Sequence, residues 1–204
     1  MQKITILDIV LIAAFAALII VLGAVSIPVG ATGVPIVLQN MGVVLVGLLL
    51  GWKRGTLSVL LFLAVGLVGV PNLAGFRTTL SALPGPTVGY IVGYIVTALI
   101  VGLLTVRRPR NTIAQISLFI LAGVIGILAQ YLCGSVGLVI VSGMEFGAAV
   151  ASNAAFIVGD LIKVVIAAVI AAPVLRAVPS LRPNRAGTAP AVSGPAGSGA
   201  GTTA

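Results

Sequence analysis

The chain has 204 residues, of which 60 % are hydrophobic and only 7 % are charged, and its mean hydropathy is +1.30. Soluble globular proteins carry about 25 % charged residues, so this composition predicts an integral membrane protein. The net charge of +8 does not indicate nucleic-acid binding, because the basic residues form no continuous stripe and lie at the ends of apolar segments.

Missing residue types exclude several kinds of chemistry. The chain has no histidine, which rules out Ser-His-Asp and Cys-His catalysis, and no phosphate-binding G-x-x-x-x-G-K-[ST] loop. Its single cysteine, Cys133, excludes an internal disulfide and is expected to serve as a small packing residue. We therefore expect neither an enzyme nor a metal or cofactor site, and any ATP-driven step requires another protein.

Six apolar segments predict membrane-spanning helices, each of which needs roughly 20 mostly apolar residues. The first begins at Asp8, a residue suited to an N-cap, and the fifth is long enough to tilt or kink. The sequence thus predicts an all-α bundle of six transmembrane helices. The segments are, approximately, residues 8–27, 34–51, 56–70, 87–106, 112–141 and 154–178.

The distribution of basic residues predicts the orientation of these helices. Lys and Arg favour cytoplasmic loops close to helix ends, so we place both termini on the cytoplasmic side of the cell membrane. The outer loops then carry Arg77 alone, and Lys163 lies within the sixth segment. The remaining basic residues lie on the inner side, namely Lys3, Lys53, Arg54, Arg107, Arg108, Arg110, Arg176, Arg182 and Arg185.

Residues 1–181 are expected to form a single six-helix domain. Residues 182–204 consist mainly of Ala, Gly, Pro, Ser and Thr and bury too little apolar surface to offset the entropy of ordering. We therefore expect a disordered cytoplasmic tail. The first apolar segment exceeds the roughly 7–15 residues of a signal-peptide core, so it is expected to remain in the protein as a helix.

Two opposite charges, Asp160 and Lys163, lie inside the sixth segment and share one helix face because they are three residues apart. On insertion scales, each charge costs about 2.5–3.5 kcal/mol at the bilayer centre, so such residues usually face the protein interior or a wet cavity. At a rise of about 1.5 Å per residue, Asp160 lies about 9 Å below the outer end of its helix. This depth suits a cavity open to the outside, and an ion pair that only joins helices is the alternative.

The outer loops and the first helix offer further candidates. The loop over residues 71–86 is long and holds Arg77, and the loop over residues 26–35 is rich in Gly and Pro, which suits compact conformations that can close over a site. On the first helix, Ala13 and Ala17 form a small-xxx-small pattern. This pattern permits close contact with a helix of the same bundle or of a partner membrane protein.

Four sequence blocks together resemble the BioY family, the biotin-specific substrate-binding (S) components of energy-coupling factor transporters. The blocks occur in the family's order, and the likeness extends over about residues 5–178. They are VPIVLQ at 34–39, AGFR at 74–77, GPTVGY at 85–90 and GDLIK at 159–163.

The resemblance implies a protein that binds biotin from the outer side with high affinity. Uptake would then be energised by a transmembrane coupling subunit and two cytoplasmic ATPase subunits. In the family, the Asp and Lys of the sixth-helix block line the ligand pocket, which points to Asp160 and Lys163 here. The loop position held by Arg77 also faces the ligand in this family, as do residues near the Gly-Pro-Thr block, which suggests Tyr90.

Biotin is chemically compatible with these residues. Its ureido ring offers two N–H donors and one carbonyl acceptor, and Asp160 can accept an N–H in a charge-assisted hydrogen bond. Either Lys163 or Arg77 could neutralise the valerate carboxylate, and Tyr90 could supply an apolar wall for the bicyclic ring. S components use the small-residue pattern of helix one to contact the coupling subunit, which makes Ala13 and Ala17 candidates for that contact.

Other functions remain open from the residues alone. A small secondary transporter could use Asp160 as its coupling carboxylate, and a related S component could bind riboflavin or thiamine. An intramembrane enzyme is disfavoured, because the only acidic residues are Asp8, Glu145 and Asp160. Asp8 and Glu145 are expected on opposite sides of the membrane, so no carboxylate pair forms easily.

Overall fold

The computed structural model describes residues 4–27, 36–109 and 111–181, and this part of the chain is almost entirely helical. The short strands β1 (Ser26–Ile27) and β2 (Ile36–Val37) pair antiparallel, and 3-10 turns cover Ala74–Phe76 and Pro179–Leu181. The α-helices of the described residues are α1 (Ile6–Gly23), α2 (Gln39–Leu67), α3 (Thr79–Ala82), α4 (Val88–Leu104), α5 (Thr112–Ser142), α6 (Phe146–Ser152) and α7 (Ala154–Ala177).

Four helices of the described residues, α1, α2, α5 and α7, are long and apolar enough to cross a membrane. The apolar helix α4 is shorter, at 17 residues. Many large apolar side chains on these helices are exposed, as expected for surfaces solvated by lipid rather than water. The predicted class, an all-α multi-pass membrane protein, is therefore confirmed.

The N-terminus of α1 differs from the sequence prediction. Thr5, not Asp8, is the N-cap, so the prediction for Asp8 was wrong. The Asp8 amide donates to Thr5 Oγ1 (3.3 Å), and the Thr5 amide donates to Asp8 Oδ2 (2.8 Å), which completes a capping box. Asp8 also forms an ion pair with Arg54, and this pair joins the start of α1 to α2.

Helix α2 consists of two arms that fold back on each other at Gly51. Gly51 has φ 73° and ψ −176°, a backbone conformation that is essentially restricted to glycine. A Cβ on Gly55 would lie 3.1 Å from the carbonyl oxygen of Val46, although nine residues of straight helix would span about 13.5 Å. The Gln39 side chain also donates to the Asn72 carbonyl (2.6 Å), so both ends of α2 lie at the same end of the bundle.

The two arms, residues 39–50 and 52–67, correspond to the second and third predicted segments. Arg108, which follows α4, donates to the Leu48 carbonyl (2.7 Å) and so satisfies an oxygen near the end of the first arm. A Cβ on Gly102 of α4 would lie 2.3 Å from the backbone nitrogen of Trp52. Only glycine therefore lets α4 approach this turn so closely.

Helices α4 and α5 pack with their backbones in direct contact. A Cβ on Gly89 would lie 2.2 Å from the carbonyl oxygen of Cys133 and 2.9 Å from the Cα of Gly137. One turn further along α4, a Cβ on Gly93 would lie 2.8 Å from the Cγ of Gln130. Small residues permit such close contacts between membrane helices, and here the glycines of α4 leave space for side chains of α5.

Short polar caps fix the connection from α5 to α7. Glu145 caps α6 by accepting the Ala148 N–H (2.9 Å), and the N–H groups of Gly147 and Ala148 lower the pKa of this carboxyl. Asn153 joins α6 to α7, and its side chain donates to Ser135 Oγ on α5 (2.9 Å). The start of α7 is thereby held against α5.

Several predicted features lie outside the described residues. These are the expected disordered tail over residues 182–204, most of the first outer loop at residues 28–35, and the basic residues Lys3 and Arg110. The division of the chain into a domain at residues 1–181 and a tail stays a prediction.

Candidate ligand-binding cleft

A cleft opens at the end of the bundle where α2, α4 and α7 begin. It comprises about 630 Å³ of unfilled space, counting the part open to solvent. Its polar lining residues are Gln39, Asn40, Arg77, Thr87, Gln130 and Asp160. Its aromatic lining residues are Tyr90, Tyr94, Tyr131 and Phe156.

Asp160 lies about one and a half turns into α7 and is the centre of a buried hydrogen-bond cluster, with 2 % of its surface exposed. Its carboxylate accepts hydrogen bonds from Asn40 Nδ2 (3.2 Å to each oxygen), from the Tyr131 hydroxyl (2.7 Å) and from Lys163 Nζ (2.8 Å). Three elements thus meet at one carboxylate. A cluster with so many charge-assisted bonds is rigid and keeps Asp160 directed away from lipid.

Lys163 stands behind Asp160 rather than among the lining residues of the cleft. Its ammonium group donates to Asp160 Oδ1 and to the carbonyl oxygen of Val37, both at 2.8 Å, and 7 % of the residue is exposed. The pair therefore faces the protein interior, as the sequence predicted. The bond to Val37 also ties α7 to β2, next to the start of α2.

Tyr90 forms a fixed wall of the cleft. Its hydroxyl donates to Asn153 Oδ1 (2.7 Å), and its ring meets the Phe156 ring edge-on, with 6.5 Å between centroids. A Cβ on Gly134 would lie 2.3 Å from the Tyr90 ring, so the ring rests directly on the α5 backbone. Because its proton is donated to Asn153, Tyr90 contributes mainly apolar surface.

Arg77 lies exposed at the mouth of the cleft on an ordered loop. The Leu73 amide donates to the Arg77 carbonyl (2.9 Å), and Gly75 between them has φ 70°, which allows the tight turn. The buried Asn72 side chain anchors this loop by accepting the Thr79 amide (2.9 Å). The Arg77 guanidinium makes no hydrogen bond or ion pair with any residue that the structure describes, so it is available to an anion.

The structure adds lining residues that the sequence did not single out. Asn40 and Tyr131 bond to Asp160, and Gln130 and Thr87 line the same cleft. A signal for Gln130 was present, because a polar residue inside an apolar segment usually faces the bundle interior. Neutral side chains carry this signal more weakly than charges do.

Ala13 and Ala17 lie away from the cleft on the exposed face of α1. The opposite face of the helix buries Ala16 and Ile19 in the core. The small-residue pattern is therefore not used for packing inside the described part of this bundle.

Together these features define a multi-pass membrane protein with a cleft, lined by polar and aromatic side chains, near one end of its helices. Residues 1–180 match the BioY family. The chain belongs to the BioY family.

Relatives with similar sequence and structure agree with this assignment. The chain is 38 % identical over 184 residues to the biotin transporter BioY of Rhizobium etli, covering 88 % of this chain and 98 % of that protein. It is 40 % identical over 182 residues to the biotin transporter BioY of Rhodobacter capsulatus, with coverage of 85 % and 95 %. The crystal structure of the S-component for biotin from an ECF-type ABC transporter superposes with a TM-score of 0.76 at 31 % identity, covering 84 % of this chain and 92 % of that one.

Proposed function

We propose that this protein is the biotin-binding S component of an energy-coupling factor uptake transporter. The observation that carries the proposal is the polarity of the cleft, which has a buried hydrogen-bonding cluster around Asp160 at its floor. At its mouth lies Arg77, whose guanidinium is unpaired among the described residues. Biotin has the matching polarity, with a neutral ureido ring at one end and a carboxylate at the other. The names of the relatives and of the similar S-component support biotin as the ligand.

The proposed topology has six crossings, formed by α1, the two arms of α2, α4, α5 and α7, with both termini in the cytoplasm. Basic residues at the Gly51 turn, after α4 and near the end of α7 support it, since they lie at the end of the bundle opposite the cleft. The positive-inside rule places that end in the cytoplasm of a cell whose plasma membrane holds the protein. The cleft then opens outward. These basic residues are Lys53, Arg54, Arg107, Arg108 and Arg176.

In the proposed complex, the ureido ring of biotin lies at the floor and its carboxylate at the mouth. The ring would contact the cluster of Asp160, Asn40 and Tyr131, with Tyr90 as its apolar wall. Arg77 is better placed than Lys163 to neutralise the carboxylate, because Lys163 is already bonded to Asp160 and Val37 behind the lining of the cleft. A carboxylate at the mouth also keeps most of its hydration, which makes its binding less costly.

Direct titration tests the proposed ligand. The protein purified in detergent is expected to bind biotin saturably, with one molecule per chain, and to bind riboflavin and thiamine at least about 100-fold more weakly. The physical reason is that a site built around buried polar groups rejects ligands that leave those groups unpaired. Absence of biotin binding, or equal binding of either other vitamin, would contradict the proposal.

Arg77→Gln is expected to weaken the binding of biotin about 10-fold while leaving the binding of biotinamide, which lacks the carboxylate, nearly unchanged. An exposed ion pair is screened by water, so a larger loss is not expected. Calorimetric titration of both ligands measures the difference. Arg176→Gln, which removes a charge at the other end of the bundle, serves as the matched control and should alter neither affinity. Equal losses for biotin and biotinamide would show that Arg77 does not contact the carboxylate.

The proposed partners are a transmembrane coupling subunit and two ATPases, and the exposed Ala13 and Ala17 are proposed to contact the coupling subunit. Replacing both by Leu should abolish biotin uptake in cells that contain the partner subunits, because bulky side chains prevent close approach of helices. Biotin binding by the purified variant should be unchanged. Ala114→Leu, an exposed alanine of α5, is the control. Normal uptake by the double variant would remove these residues from the contact.

A further inference from the structure

Gln130 is a buried polar residue that takes no part in the hydrogen bonds around Asp160 and Tyr90. It lies in the middle of α5, only 2 % of its surface is exposed, and it lines the cleft. Its side chain passes Gly93 of α4, where a Cβ would lie 2.8 Å from the Gln130 Cγ. Glycine at this position gives the glutamine side chain room between two closely packed helices and restricts its direction.

The oxygen of the Gln130 carboxamide is directed toward α4, and its amino group remains available to a ligand in the cleft. The Thr97 hydroxyl lies 3.4 Å from Gln130 Oε1 and makes its shorter bond, of 2.9 Å, with the Gly126 carbonyl. The Gln130 Nε2 group makes no hydrogen bond with any residue that the structure describes. A ligand that fills the cleft would remove water from these two N–H donors, which is costly unless the ligand itself supplies an acceptor.

Other donors at the floor of the cleft are already engaged. The amino group of Asn40 and the proton of Tyr131 are directed to Asp160, and the proton of Tyr90 is donated to Asn153. Among the floor residues that the structure describes, this accounting leaves the Gln130 amino group and the Tyr94 hydroxyl as donors for an incoming acceptor, and of these two only Gln130 offers a pair of N–H groups.

Depth places Gln130 beside the ring of the ligand rather than its tail. Gly93, which Gln130 touches, lies six residues beyond Thr87 along α4, or about 9 Å further from the mouth. Asp160 lies at a similar depth, six residues after the start of α7 at Ala154. A cyclic urea held between Asp160 and Gln130 would have its N–H groups near one side chain and its carbonyl near the other.

We infer that Gln130 is a specificity-determining residue whose carboxamide N–H groups donate to the carbonyl oxygen of the ligand's cyclic urea. This inference rests on the proposed function, because it takes biotin as the ligand. A buried carbonyl without a donor is penalised, so Gln130 would select ligands with an oxygen acceptor at this position over analogues that carry an N–H group there.

The test compares biotin with 2-iminobiotin, in which an imino group replaces the urea oxygen. In Gln130→Met, a variant of similar length without donors, affinity for biotin should fall about 10-fold or more, while affinity for 2-iminobiotin should change by less than about 3-fold. In Gln130→Glu, which presents acceptors only, the preference should shift further toward 2-iminobiotin. Gln115→Met replaces another buried glutamine of α5 that does not line the cleft, and it should leave both affinities unchanged.

The outcomes separate this inference from the proposed function. If the unmodified protein does not bind biotin, the proposed function fails. If it binds biotin but Gln130→Met keeps full affinity or loses equal affinity for both ligands, Gln130 does not read the urea oxygen and the inference alone is overturned. If Gln130→Met cannot be purified in folded form, the ratio of the two affinities in Gln130→Glu decides, and an unchanged ratio overturns the inference.

Discussion

Replacing Asp160 by Asn is expected to lower the affinity for biotin about 100-fold or more, the largest functional loss that the structure predicts for a single side chain. Hydrogen bonds to a charged group are each stronger than neutral ones, and three side chains converge on this carboxylate. An amide would accept fewer of these bonds and would turn a donor toward Asn40, Tyr131 or Lys163. The floor of the cleft would lose the geometry that holds the ureido ring.

The same substitution also leaves the Lys163 ammonium buried without its counter-ion, which can destabilise a protein by about 3–5 kcal/mol. The double variant Asp160→Asn/Lys163→Met separates the two effects, because it removes both charges. We expect the double variant to regain much of the thermal stability lost by Asp160→Asn but none of the affinity. Calorimetric titration and a thermal unfolding assay in detergent measure both quantities. Unchanged biotin affinity in folded Asp160→Asn would refute the role of this residue.

The sequence indicated Asp160 and Lys163 because charges inside an apolar segment are costly and therefore conspicuous. It could not show that Lys163 lies behind the lining of the cleft. Two residues that share one helix face at i and i+3 can both line a cleft, or one can lie behind the other. That distinction depends on the Val37 carbonyl, which long-range packing brings within 2.8 Å of the ammonium. Asn40 and Gln130 were missed because a neutral amide inside an apolar segment indicates a site more weakly than a charge does.

The helical segments were predictable because bilayer thickness fixes the length of an apolar run. The fold-back of α2 was also visible as an interruption at Lys53 and Arg54, although the conformation of Gly51 that produces it was not. The short helices α3 and α6 were not predicted. Both lie in connections between long apolar segments, where local caps such as Glu145 determine the structure. These connections have no hydrophobic periodicity from which a helix could be predicted.

Gly89→Ala is expected to destabilise the protein by about 1–3 kcal/mol or more, even though alanine favours helices over glycine by about 1 kcal/mol. Its Cβ would lie 2.2 Å from the carbonyl oxygen of Cys133, and that oxygen belongs to a backbone that cannot turn aside. The helices α4 and α5 must then separate. Because Tyr90 follows directly in sequence and rests on Gly134, separation also moves a wall of the cleft, so biotin affinity should fall together with thermal stability.

Gly159→Ala is the matched control for this prediction. Gly159 is also a helical glycine, but a Cβ at this position would meet no atom within 4 Å, so only the helix-forming advantage of alanine remains. Its thermal unfolding temperature should equal or exceed that of the unmodified protein. If Gly89→Ala also kept its unfolding temperature and its affinity, the close contact of α4 with α5 could not be what positions Tyr90. The wall of the cleft would then have to be held mainly by the bond from Tyr90 to Asn153.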